Sequence, residues 1–210
     1  LAEKIFDKGT INIDLLRLDS TVVKSNIAPP LDSHLLDDGI RVLSRLFAKC
    51  RDCTGVKLRL TDHRKKSRSL AAGIFYAKKA EKDALYGELV PLAWKVIVQS
   101  ERAVAQVKQQ CAADVLSRSW IEQVEHFQHL LKKVIDQTQR RVFNGEEVPA
   151  TEKIVSLFEP HTDIIIKGSR DIEYGHKINL ATDKSGLITA MMIEGGNPKD
   201  TERFIPLLEK

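Results

Sequence analysis

Leu18-Asp19-Ser20-Thr21-Val22-Val23 is the stretch from which the fold of this 210-residue chain is read. Thr21, Val22 and Val23 are β-branched and favour an extended backbone. Asn26 and the pair Pro29-Pro30 then end the run and turn the chain. The sequence thus predicts a strand that carries one carboxylate, Asp19, among apolar neighbours. An acid in that setting costs free energy unless something pairs with it, and a bound cation is one such partner. Two readings of Asp19 stand at this point: a strand-end residue that caps a turn, and a metal ligand.

Beyond the turn the period changes. A helix is predicted from Asp32 or Ser33, with Ser33 as its N-cap and Leu35, Leu36, Ile40, Leu43 and Leu46 as its apolar stripe. Residues 49–145 read as long helices. Trp94, Ile97, Val104, Val107 and Cys111 recur at helical spacing, as do Ile121, Val124, Phe127, Leu131, Val134, Ile135 and Val142. Pro91 either kinks the first of these helices or begins a new one, and Asn144-Gly145 supplies a stop. Antiparallel helices would bury the stripes against each other, with Trp94 and Trp120 as packing residues. From residue 153 the pattern is that of strands. Ile164-Ile165-Ile166 is a short buried run. Tyr174, His176, Ile178 and Leu180 alternate with Gly175, Lys177 and Asn179. Asp183-Lys184-Ser185-Gly186 turns the chain into a second strand, Leu187 to Ile193, so that about 173–194 is a hairpin. Asp200 or Thr201 would cap a final helix carrying Phe204, Leu207 and Leu208.

Hydrophobic residues at 42% and charged residues at 30% describe a globular, helix-rich chain and exclude a disordered one. The net charge of +4 is too small to argue for nucleic acid, so the distribution of charge has to decide. Lys57, Arg59, Arg64, Lys65, Lys66 and Arg68 cluster, opposed only by Asp62, and form either a DNA-phosphate grip or a solvated face. Cys50, Cys53 and Cys111 make no disulfide framework, and no second Cys or His pair completes the Cys50-Cys53 spacing into a zinc site. That usage fits a cytoplasmic location. No apolar run is long enough for a membrane span. His126 and His129 stand three apart on a helix without a third ligand, and His161 and His176 read as structural. There is neither a Gly-rich phosphate loop nor a Ser-His-Asp or Cys-His order. Leu1 stands at the start, and the end falls in what reads as a helix, so the chain is expected to be a fragment.

Three elements taken together resemble an insertion-sequence transposase of the DDE type, in particular its ISNCY-type relatives. They are Leu18 to Ile27 with the following Asp32-Ser33-His34-Leu35-Leu36 and Asp38-Gly39-Ile40; Ser156-Leu157-Phe158-Glu159-Pro160-His161-Thr162; and Tyr174-Gly175-His176-Lys177 with Gly186-Leu187-Ile188 and Gly196-Asn197-Pro198-Lys199-Asp200. The resemblance runs from about residue 10 to the C-terminal end. It implies an α+β chain: a partial RNase H-like domain with a long α-helical insertion after the first strand. Residues 1–48 would be the first strand and helix of the catalytic domain, 49–150 the insertion, and 151–210 the β-hairpin and the start of the next helix.

In such enzymes a first Asp, a second Asp on a fourth strand and a Glu on a distant helix hold two Mg²⁺ ions. Hard cations of this kind prefer carboxylate oxygens. The metals bring water or a DNA 3′-hydroxyl in line with a phosphodiester. By resemblance Asp19 is the first Asp, both metal ligand and catalytic group. Double-stranded DNA at transposon ends is the implied partner, with a homo-oligomer as a possible assembly. Arg64, Lys65, Lys66, Arg68 and Lys177 are the candidate DNA contacts. The chain departs from the pattern in lacking the second Asp and the Glu, and Asp200 reads as a helix cap. By itself, therefore, the chain is expected to hold Mg²⁺ weakly and to cut no DNA. A non-enzymatic, helix-rich DNA-binding or dimerisation protein is the rival reading.

Overall fold

β-Branched Thr21, Val22 and Val23 lie within a strand, β1 (Arg17–Lys24). The computed structural model describes residues 16–111, 114–167 and 171–209. Residues 10–15 of the resemblance lie outside them. The chain is mixed α/β, and among the described residues it has five α-helices and a four-stranded antiparallel sheet, an arrangement compatible with α+β. It divides into two compact units, Ala28–Pro160 and Leu1–Ile27 with His161–Lys210.

In the sheet unit the long strand β3 (Asp171–Thr182) is central. β1 pairs along one edge of it, from Arg17↔Thr182 to Lys24↔Gly175. Along the other edge β2 (Asp163–Lys167) pairs with residues 171–175 and β4 (Ile188–Glu194) with 177–182. Among the described residues no strand pairs with the outer edge of β1. The β3–β4 turn is held by one carboxylate: Asp183 Oδ1 accepts from Ser185 N at 2.8 Å, Ser185 Oγ at 2.6 Å and Leu187 N at 2.9 Å. Gly186 supplies the left-handed φ of 86° that this turn needs. One face of the sheet buries Ala181 and Met192 against Leu207, with Leu18 and Ala190 beside them. Leu207 belongs to the short helix α5 (Phe204–Leu208), which follows a 3₁₀ turn, Asp200–Arg203. The other face leaves Val23, Met191 and Ile193 exposed.

The helical unit holds α1 (Asp32–Thr54), α2 (Arg64–Tyr76), α3 (Lys79–Cys111) and α4 (Val115–Thr138), the last continuing as a π turn over Gln139–Phe143. The predicted stripes are buried: Leu35, Leu36, Ile40 and Leu43 from α1, Ile97, Val104 and Val107 from α3, and Val124, Leu131, Val134 and Ile135 from α4. Gly39 lets α1 approach α4, since a methyl group there would lie 3.2 Å from Leu131 Cγ and 3.3 Å from its Cβ. Asp32, 6% exposed, accepts from Gln137 Nε2 at 2.8 Å and Arg141 Nη1 at 2.9 Å.

Three expectations change. The helix of 32–54 packs with α2, α3 and α4 inside the helical unit, so the units divide at 27/28 and 160/161 rather than at 48/49 and 150/151. Its amphipathic stripe finds its complement on other helices, which no local pattern reveals. Leu31 is the N-cap of α1, without a side-chain bond, while Ser33 is buried beside Tyr86. Of the two alternatives for Pro91, the start of a new helix is removed, since it lies inside one continuous α3. Trp120 packs as expected, donating from Nε1 to Leu46 O at 2.8 Å, but Trp94 is 41% exposed.

Candidate functional site

Asp19 lies near the middle of β1 and is exposed. Its backbone is fixed opposite Leu180, and its Oδ1 accepts from Ser20 N at 2.7 Å. It lines a cleft of 230 Å³ together with Ser20, Asn179, Asp200, Arg203 and Phe204. Strand register builds this cleft: Ser20 is opposite Asn179, two residues from Lys177 along β3. The 3₁₀ turn brings Asp200 over the same face, where its Oδ2 accepts from Ser20 Oγ at 3.2 Å and its Oδ1 is 2.5 Å from Lys177 Nζ. Lys177 is 5% exposed, and its Nζ also donates to Pro198 O at 2.6 Å. Asn179 is 3% exposed, and its Nδ2 has no hydrogen-bond partner. Arg203 Nε pairs with Glu194 at the edge of the same region.

The cleft thus joins the Asp200 carboxylate, the Ser20 hydroxyl and an unsatisfied amide donor, while strand alternation turns the Asp19 side chain to the opposite face, beside Leu180. A Mg²⁺ site draws on several oxygens. Asp19 offers its carboxylate on the other face of the strand, and the charge of Asp200 is already balanced by Lys177. Among the described residues no group of three or more His, Cys, Asp or Glu side chains is placed to hold a metal.

The candidate DNA contacts fare unequally. Lys177 is buried and ion-paired, so it presents no charge to solvent; the alternation of β3 put it on the covered face. Arg64 pairs with Asp62 at 2.6 Å, and its guanidinium hydrogen bond holds the Asp62 carboxyl below the usual carboxylate range. Lys66 pairs with Glu88 at 3.1 Å. Lys65 and Arg68 are exposed on the same helix, α2. The histidines do not form ligand sets. His161 stacks on His176 with ring centroids 5.2 Å apart, and His176 Nδ1 is 3.8 Å from Asp163 Oδ2. His126 packs edge-on to Phe127. All three cysteines are free thiols; burial raises the pKa of Cys50, whose Sγ is 3.3 Å from Thr54 Oγ1.

The involvement of Asp200 was not legible as more than a cap. The N-cap of its turn is Lys199, which makes no side-chain capping bond. The signal that existed was the alternation of Lys177 and Asn179, which places a cation and an amide on one face of a strand. No helix among the described residues is long and apolar enough to cross a membrane. No protein family, curated protein or solved structure with which the chain was compared matches it.

Proposed function

We propose that this chain is the first-strand, insertion and hairpin portion of an insertion-sequence DDE transposase. In complete form that protein would carry out metal-dependent strand cleavage and transfer at transposon ends. The observation that carries the reading is the exposed Asp19 carboxylate at the middle of a strand whose outer edge pairs with no described strand. An RNase H-like core needs a first strand paired antiparallel to a second, which pairs in turn with a third. β1, β3 and β4 have that order. It also needs a place for a fourth strand beside the first, and the outer edge of β1 is the position for it. A helical unit lying in sequence between β1 and the rest of the sheet agrees with an insertion after the first strand. β2 has no counterpart in that expectation.

On this reading Asp19 is one Mg²⁺ ligand, duplex DNA is the substrate, the enzyme acts in the cytoplasm and a homo-oligomer is the working assembly. The reading also requires an Asp on a further strand and a distant Glu; Asp19 alone would hold Mg²⁺ weakly and cut no DNA. The test is to extend the chain with the coding sequence that follows Lys210 and to assay Mg²⁺-dependent cleavage of a transposon-end duplex. Asp19→Ala should abolish cleavage and leave DNA binding intact. Undiminished cleavage, or loss of DNA binding with the fold preserved, would remove Asp19 from its role. A downstream frame without an Asp-bearing strand and a later Glu would overturn the enzyme reading.

One observation favours the rival. The helical unit buries a continuous core of its own from four helices, as an independent binding or dimerisation module would. That reading needs neither Asp19 nor a downstream strand. It predicts that Asp19→Ala changes nothing measurable.

A further inference from the structure

On the helical unit we infer a groove for the sugar-phosphate backbone of duplex DNA, formed by Lys57, Arg59, Lys95 and Arg102 with Trp94 on its wall. The choice of DNA as partner rests on the proposed function, whereas the groove and its charge stand on their own observations.

Two local patterns build it. After α1 the chain alternates: Val56 is buried and Leu58 and Leu60 pack against the core, so Lys57, Arg59 and Thr61 face solvent. On α3, Trp94, Lys95, Val98 and Arg102 fall at spacings of one, four and eight and share a face. These two surfaces line clefts of 570 Å³ and 670 Å³ that have Thr61, Gln99 and Arg102 in common, so they form one groove.

The groove is cationic without compensation. No acidic residue lines it. None of the four cations pairs with a described acid, while nearby acids are engaged elsewhere: Asp62 with Arg64 and Glu101 with Lys132. Like charges gathered this way repel one another, and a polyanion relieves that repulsion. Their spacing suits a regular row of phosphates. Lys95 and Arg102 stand seven residues apart, about 10.5 Å along the helix axis, or roughly three base-pair steps of about 3.4 Å. Lys57 and Arg59 stand about 6.6 Å apart along an extended segment, close to two such steps. Thr61 and Gln99 add neutral donors of the kind that bind phosphate oxygens.

The experiment is fluorescence anisotropy of the full chain with a short labelled duplex of arbitrary sequence, without Mg²⁺, over a salt series. Four phosphate contacts predict a log–log slope of about −3.6, a loss of affinity of roughly 150-fold between about 50 and 200 mM salt. The double variant Lys57→Gln/Arg59→Gln should reduce the slope to about −1.8 and the loss to roughly 12-fold. Lys78→Gln/Lys79→Gln, exposed and outside the groove, should leave the slope unchanged. Circular dichroism of each variant checks that the fold persists. An unchanged slope in the groove variant, or an equal fall in the control, overturns the groove and leaves the transposase reading standing. Absence of duplex binding at the lowest salt also overturns the groove, and the Asp19 cleavage assay then decides the transposase reading alone. Tighter binding to duplex RNA than to DNA would overturn the assignment of partner.

Discussion

Gly175→Ala should detach the strand that carries Asp19, although alanine suits the local backbone. Gly175 is buried where β1, β2 and β3 meet, opposite Lys24 on one side and Asp163 on the other. It is not among the glycines with positive φ, so no conformational penalty attaches to a side chain. The obstacle is space. A methyl group would fall on the Val23 carbonyl oxygen, 2.8 Å from Lys24 Cα and 2.9 Å from the Val23 carbonyl carbon. These are backbone atoms, which have no alternative rotamer, so the end of β1 must move away. Overpacking costs about 1–3 kcal/mol. The Ser25 N to Tyr174 O bond, 2.9 Å long, lies next to the clash and would be lost, adding about 1 kcal/mol. The expected destabilisation of the sheet unit is therefore about 2–4 kcal/mol. Hydrogen exchange on the full chain is the assay, because a chain of two units need not unfold in one step. Amides of 17–24 should lose protection while those of α1 and α4 keep theirs. Gly87→Ala serves as the opposite control: it lies within α3 with nothing within 4 Å of the new methyl, and should stabilise by about 0.5–1 kcal/mol. Retained protection over 17–24 in Gly175→Ala, with stability within about 0.5 kcal/mol of the parent, would refute the close-approach argument.

Two further predictions concern the helical unit. Asp32→Ala removes the acceptor shared by Gln137 and the Arg141 guanidinium, each such charge-assisted bond being worth about 1.5–3 kcal/mol; because the Arg141 side chain is 42% exposed and can be rehydrated, the net loss should be about 2–3 kcal/mol in urea unfolding. Arg141→Ala should cost clearly less, and equal losses would mean that Asp32 acts only through that one pair. Asp114 caps α4 by accepting from Ser117 N at 2.9 Å and Ser117 Oγ at 3.0 Å, and the backbone bond followed by the hydroxyl bond holds its carboxyl below the usual value. A depressed carboxyl stabilises the fold above its unfolded pKa and loses that contribution as pH falls through the folded value. Thermal melts should therefore show the parent losing stability faster than Asp114→Asn below about pH 4, and parallel curves would exclude the linkage.

Periodicity made the elements legible, and three-dimensional approach decided what their side chains do. The hairpin was readable because alternation from Tyr174 to Leu180 and the Asp183–Gly186 turn are both local signals. The stripes of α3 and α4 were readable for the same reason. Trp94 belonged to the α3 stripe by spacing alone, yet it lies on the exposed side of that helix, because a spacing cannot say where the burial arc ends. The basic run of 57–68 looked uniform in sequence. Folding divides it: Arg64 and Lys66 find acids, while Lys57 and Arg59 line a cleft with Arg102 from a helix about forty residues away.

The candidate site shows the same division. Asp19 was marked by sequence, since a lone acid among β-branched residues is an anomaly of local composition. The cleft on the opposite face of its strand was not. Asp200 lies 180 residues from Ser20, and only the pairing of β1 with β3 and the 3₁₀ turn beyond β4 bring their oxygens within 3.2 Å. Lys177 looked available to DNA until the face on which it lies was settled, and that face follows from strand register rather than residue type. By itself the sequence determined where the backbone is helical, extended or turning, because those preferences act between neighbours a few residues apart. Tertiary structure alone decided which charges are cancelled and which remain exposed, because ion pairing depends on distance through space and not along the chain.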